Sequence, residues 1–428
     1  MRSRQQAQLA ALTRRFVVLS ALRWFPTGLL IPLTAVLMQS RGLSLAEIGL
    51  VAATQGVVVV LLELPTGGLA DALGRRPVLL AASAFDVAAV ALLLVAHSPA
   101  GFLVAAVVQG AFRALESGPL EAWYVDASLA VDVGADIERG LARATTALGF
   151  AIAGGALATA GLVAFAPLGD ADALAVPVAI ALGLRFVDMA GIARFVIETR
   201  RSIGLAGARA SVVVAPKVVR STVRLVASSP ALLALVAIEL LWGAGMVGVE
   251  LFSGPRLVDL LGDPEQGVAV FGVAAALGWV VCAAGSALTG RLTSRPGREP
   301  ARAGAVLRVA QGAAVGVMAV LGGPLGLVTG YLGFYLVHGA ANVVHHGMVH
   351  RLVDADHRTT VLSAHSLASR LGGAASAVGL GVLATATSIP LALALAAVLL
   401  AAAAPLYRVA GRGRPLVPVA GGSQPSVA

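Results

Sequence analysis

A short charged turn, Gly67 to Arg76, lies between two long apolar runs and restricts the fold more than any other feature of this chain. The run before it, residues 48–69, has Glu63 as its single formal charge, and the run after it, residues 77–96, has one acidic residue. Each run has about the 20 residues that an α-helix needs to cross a bilayer. The sequence therefore predicts two membrane-spanning helices, joined at a membrane surface where the charged turn stays in water.

Apolar runs of this length recur along most of the chain. Charged residues make up 12% of the 428 residues and hydrophobic residues 58%, whereas soluble domains carry about 25% charged residues. We therefore predict an all-α polytopic membrane protein. Its spans, about 12 in number and each long enough to cross a bilayer, fall near residues 16–39, 48–69, 77–96, 100–125, 141–168, 173–197, 231–257, 266–290, 303–322, 324–349, 363–385 and 388–407.

The net charge of +9 follows the membrane topology. Arginine and lysine concentrate before span 1, in the loops after spans 2, 4, 6, 8 and 10, and in the C-terminal tail, whereas the opposite loops are poor in them. Positive loops stay on the cytoplasmic side. We therefore expect a multi-pass protein of the cell (inner or plasma) membrane, with both termini cytoplasmic. Its partners are the lipid bilayer and a small-molecule substrate, without nucleic acid, and we expect a monomer.

The spans divide into two groups of six. The longest polar interval separates them, and a degraded copy of the charged turn, Gly285 to Arg291 followed by Gly297 and Arg298, occupies the matching place in the second half. Duplicated helical bundles are typical of carriers that bind substrate between their halves. We predict an N-terminal six-helix bundle, a cytoplasmic linker, a C-terminal six-helix bundle and a disordered cytoplasmic tail over residues 1–198, 199–230, 231–408 and 409–428.

The turn reads Gly-x-Leu-Ala-Asp-x-x-Gly-Arg-Arg from Gly67, and it resembles the signature loop of the major facilitator superfamily between transmembrane helices 2 and 3. Glu63-Leu64-Pro65-Thr66 just before it is similar to a run in bacterial drug-exporter-like members. The resemblance implies the fold of that superfamily, two six-helix bundles. It also implies that Asp71 docks against span 11 to hold the cytoplasmic side shut, and that Asp126 is the acidic partner of the arginine. The implied gating motif is Gly67, Asp71, Gly74, Arg75, Arg76 and Asp126.

Charged and polar side chains within the spans predict a path for substrate or protons. A charge in the hydrocarbon is unfavourable, so these side chains must face protein or a water-filled cavity. In span 4, Arg113, Glu116, Ser117, Glu121 and Tyr124 fall on one helical face, although Arg113 and Glu116 also have the spacing of a local ion pair. The candidate path residues are Arg23, Glu63, Arg113, Glu116, Glu121, Glu239, Glu250, His338, Asn342 and His345.

Two other patterns have local interpretations. Arg185 and Asp188 are neighbours on span 6 with the spacing of a structural ion pair. His346, His350 and Asp354 have metal-ligand spacing, but they lack an obvious fourth ligand, so we predict no metal site. We also find no nucleotide-binding loop and no Ser/His/Asp cluster. The chain is therefore expected to be no enzyme, with no catalytic residues and no cofactor.

These features together predict a secondary active transporter that works by alternating access, with proton-coupled efflux of a small hydrophobic or cationic compound. An importer or facilitator of a sugar, amino acid or organic anion is the alternative within transport, because Arg23 and Arg113 would suit an anion. A non-transporting membrane sensor or a polytopic membrane enzyme is the alternative from another class.

Overall fold

The computed structural model describes residues 2–66, 68–165, 172–198, 204, 220–293, 299–353 and 355–413. Gly67, the side chain of Asp71, most of the predicted linker, the Gly297-Arg298 end of the second turn, Asp354 and the tail from residue 414 lie outside the described residues. Within these ranges the chain is helical, with no strand.

Twelve helical spans of the described chain are long and apolar enough to cross a membrane, which confirms the predicted class and number. A further short helix, Leu69–Leu73, follows span 2. In order from 1 to 12, the helices of the spans are Arg2–Leu30 with Thr34–Ser40, Leu45–Thr66, Arg75–Val95, Pro99–Glu116 with Pro119–Val131, Ile137–Phe165, Ala175–Phe195, Pro230–Leu261, Pro264–Thr293, Pro300–Val320, Pro324–Leu352, Ala355–Ala386, and Ile389–Ala402 with Leu406–Ala410.

The ends of the spans have clear start signals in the sequence. Ser44 and Glu47 form a reciprocal capping box before span 2, with the Ser44 backbone nitrogen 2.8 Å from a Glu47 carboxylate oxygen. Before span 4, the Ser98 hydroxyl accepts a hydrogen bond from the Gly101 backbone at 3.2 Å, and proline occupies the first helical position. Hydroxyl caps followed by proline also begin spans 7 and 12.

Span 4 breaks in the middle, so the predicted continuous polar face on that span is wrong. One helix ends at Glu116 and the next begins at Pro119, with Gly118 between them at φ +92°. Proline has no N–H to donate and disfavours helical geometry in the residue before it, and glycine adopts positive φ without a steric penalty. Because of the break, the Tyr124 side chain points into the interior of spans 1–6, where its ring stacks on that of Phe16 with the centroids 4.4 Å apart.

Spans 1–6 pack into one lobe and spans 7–12 into another. We call the side on which the chain begins the terminal face and the opposite side the far face. The lobes meet mainly along spans 2 and 11 and along spans 5 and 8. Because Gly49 lies against the Ala377 backbone and Gly272 against the Ala156 backbone, these contacts leave no room for a side chain at either glycine. Small residues thus hold the lobes together in the half nearer the far face.

Candidate functional site

A charged pair from span 4 lies between the lobes at the break in that span. The guanidinium of Arg113 is 3.5 Å from the Glu116 carboxylate, and it lies over the Trp24 ring at 5.1 Å from the ring centroid. The Arg113 side chain remains 28% exposed. Arg113 therefore forms the local ion pair with Glu116 and also lies in the cleft, and its exposed part remains accessible to a ligand.

Glu250 of span 7 faces the same space from the second lobe. Its side chain is exposed, although it lies about 16 Å from the end of its span at 1.5 Å rise per residue. The helix has 32 residues and is about 48 Å long, so Glu250 lies about 8 Å from its centre, inside a hydrocarbon core of about 30 Å. Glu250 interacts electrostatically with Arg113 across the cleft and with Tyr335 of span 10. An exposed carboxylate at this depth marks a cleft that water can enter.

Aromatic rings form the wall of the second lobe beside this carboxylate. Trp242 stacks on His338 with ring centroids 5.3 Å apart and planes 7° apart, and Phe334 stacks on the same imidazole at 5.9 Å. His338 also contacts the Asn342 amide at 2.9 Å. Two of the predicted path residues, His338 and Asn342, therefore lie together on span 10 behind the aromatic wall.

An ion pair joins the two lobes beside their glycine-rich contact. Glu63 of span 2 lies 3.4 Å from the Arg370 guanidinium of span 11, and the Ser366 hydroxyl donates to the same carboxylate at 3.4 Å. Sequence reasoning identified Glu63 and missed Arg370, although an isolated arginine in an apolar span is itself a signal.

Arg23 does not face the cleft, so its predicted position on the path needs correction. It is buried inside the first lobe, where its guanidinium is 3.1 Å from Asp188 and donates to Ser83 at 3.0 Å. Arg185 does not pair with its helix neighbour either, because its Nε lies 2.9 Å from Asp86 of span 3. All four charged side chains are 2% exposed. The two arginines and two aspartates form a buried charge cluster that links spans 1, 3 and 6.

Glu239 belongs to a comparable cluster inside the second lobe. Its carboxylate is 3.3 Å from the Arg308 guanidinium of span 9 and 3.3 Å from the His345 imidazole of span 10. Arg308 also donates to Gln311 at 2.8 Å, and the other His345 nitrogen contacts the Tyr407 hydroxyl at 3.0 Å. Two predicted path residues, Glu239 and His345, therefore lie within the lobe, and sequence reasoning missed their partner Arg308.

The remaining carboxylate of span 4, Glu121, is exposed just after the break in that span. It forms no ion pair with any residue that the structure describes. The break in span 4 separates Glu121 from the helix that carries Arg113, and Tyr124 packs on Phe16 instead.

The charged turn between spans 2 and 3, called the signature turn from here on, is held by contacts within the first lobe. Arg75 lies 3.3 Å from Asp126 of span 4. The Arg76 backbone donates to Glu198 at 3.1 Å, and the Arg76 guanidinium donates to the Ala193 carbonyl at 2.6 Å. Gly74 has a φ of +99°, which favours glycine. Glu198 was not predicted.

The histidines at the terminal end of span 10 separate into two environments. His346 and His350 are exposed, whereas His345 is buried. Across the described ranges no group of three or more His, Cys, Asp and Glu side chains is arranged to hold a metal ion.

Two helical lobes of membrane-spanning helices around a charged cleft define a polytopic membrane transporter. The family model of the Major Facilitator Superfamily matches residues 16–377. The chain belongs to this superfamily and is one of its transporters. No curated protein matches the sequence.

Solved structures of transporters resemble the whole chain. The nucleoside transporter NupG aligns with a TM-score of 0.75 at 13% identity, covering 94% of this chain and 100% of that one. A bacterial homologue of the human lysosomal transporter Spinster, in an inward-facing and occupied conformation, aligns with a TM-score of 0.74 at 13% identity, covering 95% and 97%. The human organic anion transporter MFSD10 (TETRAN) aligns with a TM-score of 0.60 at 17% identity, covering 92% and 99%. At these identities the likeness supports the fold.

Proposed function

We propose that this transporter is a secondary active exporter that exchanges protons for a small hydrophobic or cationic compound by alternating access. The observation that carries the proposal is the exposed side chain of Glu250, which lies within the membrane-spanning part of span 7 and interacts electrostatically with Arg113 across the cleft. Carriers of this architecture bind substrate near the midplane between their two halves. A carboxylate of the second lobe that also interacts with the first lobe can bind a proton or a cation in the cleft between them.

The orientation supports export to the outside of the cell membrane. Arginines concentrate on the terminal face, which favours a cytoplasmic position for that face and for both termini. In this orientation, the packing of span 2 on span 11 and of span 5 on span 8 closes the outer side. The cleft that contains Glu250 is then accessible from the cytoplasm, where an exporter loads its substrate.

The coupling follows from competition for one carboxylate. Deprotonated Glu250 attracts Arg113, and it also attracts a cationic substrate that enters the cleft. The rings of Trp24 and Trp242 give that substrate an apolar and cation-binding surface. Protonation of Glu250 from outside removes the attraction and releases the cation, and loss of the proton to the cytoplasm resets the site.

The signature turn is proposed to act as a gate on the cytoplasmic side. Its members are Gly67, Asp71, Gly74, Arg75, Arg76 and Asp126. The 3.3 Å contact between Arg75 and Asp126 supports this role, because it ties the turn to span 4, the span that carries Arg113. Movement of the cleft and movement of the gate are then mechanically linked.

A facilitator or importer of an organic anion is the second candidate. The observation that favours it is the partly exposed guanidinium of Arg113, which a carboxylate-bearing substrate could reach. In that case Arg113 binds the substrate, and Glu250 serves only to position the arginine.

Transport into inverted membrane vesicles tests the proposal, with ethidium and tetraphenylphosphonium as cationic probes and benzoate as an anionic one. We expect a pH gradient to drive cation accumulation, and an uncoupler to abolish it. Glu250→Gln should lose gradient-driven accumulation of both cationic probes at least tenfold, because the amide neither attracts the cation nor carries the proton. The matched control is Glu265→Gln, an exposed glutamate at the start of span 8. Full accumulation in Glu250→Gln would refute the proposal. Benzoate transport that depends on Arg113 and not on the gradient would support the second candidate.

A further inference from the structure

A cavity opens on the terminal face of the second lobe, away from the cleft. Its volume is about 930 Å³, and its walls come from the start of span 9 and the ends of spans 10 and 12. The residues that line it include four arginines, Arg302, Arg351, Arg408 and Arg412, and one acidic residue, Glu299. All five side chains are exposed. None of the four arginines forms an ion pair with another residue of the described chain, so among the described residues the cavity concentrates positive charge.

Close packing between spans 9 and 12 fixes the shape of this cavity. Gly304 lies against the ring of Tyr407, and Gly411 lies against Ala301, with no room for a side chain at either glycine. The Tyr407 ring is also anchored below by its hydrogen bond to buried His345. The arginines therefore extend from a rigid base, and a ligand does not have to order the backbone that presents them.

An apolar groove continues from the charged cavity along spans 9 and 12. It has a volume of about 390 Å³, and it shares Ala305, Val306 and Arg408 with the cavity. Val306 and Val309 are 61% and 51% exposed on its wall, so the groove opens sideways to the surface that faces lipid. Pro405 lies in the groove where span 12 is interrupted between its two helices.

We propose that this cavity and groove bind an anionic phospholipid, with the phosphate among the arginines and an acyl chain along the groove. The guanidinium group matches phosphate oxygens in geometry and is weakly hydrated, so arginine suits this ligand. Basic pockets between spans on the cytoplasmic side are suited to anionic headgroups. A soluble phosphate would meet the same arginines but would leave the groove empty. The apolar continuation therefore favours the lipid over a free anion.

The first test measures binding to the purified full-length protein in detergent. Phosphatidylglycerol, phosphatidylcholine and sn-glycerol 3-phosphate are added separately, and bound lipid is counted by native mass spectrometry while the unfolding temperature is followed. We expect phosphatidylglycerol to bind and to raise the unfolding temperature by several degrees, and the other two to do neither. Equal effects of the two lipids would overturn the proposal, and so would equal protection by glycerol 3-phosphate, which would assign the cavity to a soluble anion.

Two variants separate the cavity from general surface charge. Replacement of three cavity arginines, Arg302, Arg351 and Arg408, by Gln should weaken phosphatidylglycerol binding at least tenfold. The matched control replaces Arg139, Arg143 and Arg224, three exposed arginines outside the cavity, and it should bind as the original protein does. Val309→Trp, which fills the groove and leaves the arginines, should weaken lipid binding at least threefold. An equal loss of phosphatidylglycerol binding in the cavity variant and in the control would contradict the site. Unchanged lipid binding in both the cavity variant and Val309→Trp would contradict it as well.

Discussion

The buried charge cluster of the first lobe gives a quantitative prediction about stability. Asp86 faces the Nε of Arg185 at 2.9 Å, and both side chains are 2% exposed. Replacement of Asp86 by Asn keeps the size of the side chain but leaves a buried guanidinium without its carboxylate. Breaking a buried ion pair in this way costs about 3–5 kcal/mol.

The double variant Asp86→Asn/Arg185→Gln gives the opposite comparison. It removes both charges together, so no ion is left without a partner. Arg185 also donates to the Arg23 carbonyl and, at 2.9 Å, to the Thr27 hydroxyl. Loss of two hydrogen bonds at about 1 kcal/mol each predicts a cost of roughly 2 kcal/mol. The double variant should therefore be more stable than the single variant.

The free energy of unfolding can be measured by SDS titration of the purified protein in mixed micelles. Asp259→Asn is the matched control, because this aspartate pairs with Arg256 at 3.9 Å while 44% of its side chain and 22% of the arginine side chain are exposed. An exposed pair contributes about 0–1 kcal/mol, so the control should change little. A double variant as unstable as Asp86→Asn, or a loss under about 1 kcal/mol in Asp86→Asn, would refute the argument from uncompensated charge.

Two further predictions concern helix packing and the signature turn. Gly28→Ala should lower the unfolding temperature and the yield of folded protein, because its Cβ would collide with the Ile152 backbone of span 5. Gly149→Ala has no neighbouring atom within 4 Å of its Cβ, so it should be neutral or stabilising by about 0.5–1 kcal/mol. Fluorescence-detected size exclusion after heating measures both variants, and equal effects would contradict the packing argument. Asp126→Asn should reduce transport of the ethidium probe several-fold while membrane insertion stays normal, because Arg75 loses its 3.3 Å partner, and unchanged flux in vesicles would argue against the gate.

The sequence was sufficient for the architecture because the physical constraint in a bilayer is local. An apolar run of about 20 residues must form a helix that satisfies its own backbone hydrogen bonds. The twelve spans, the caps at Ser44 and Ser98, and the class of protein could all be inferred from residues close together in the chain.

The partners of buried charges depend on packing and could not be inferred in this way. Arg185 and Asp188 are adjacent on one helix face, yet each binds a residue of another span, because cross-span partners complete the burial of both charges. Arg23 was placed on the path for the same reason: its charge was visible in the sequence, and its partner was not. The break in span 4 was different, because Gly118-Pro119 marks it in the sequence.

The pairing of charges inside each lobe determines how the membrane voltage can act on this carrier. The formal charges of Arg23, Arg185, Asp86 and Asp188 cancel within one lobe, and those of Arg308 and Glu239 cancel within the other. Rotation of a lobe therefore moves these ions through the electric field with no net electrical work. The field supplies about 2.3 kcal/mol per elementary charge per 100 mV, and these two clusters leave it to act on charges outside them, such as that of Glu250 in the cleft.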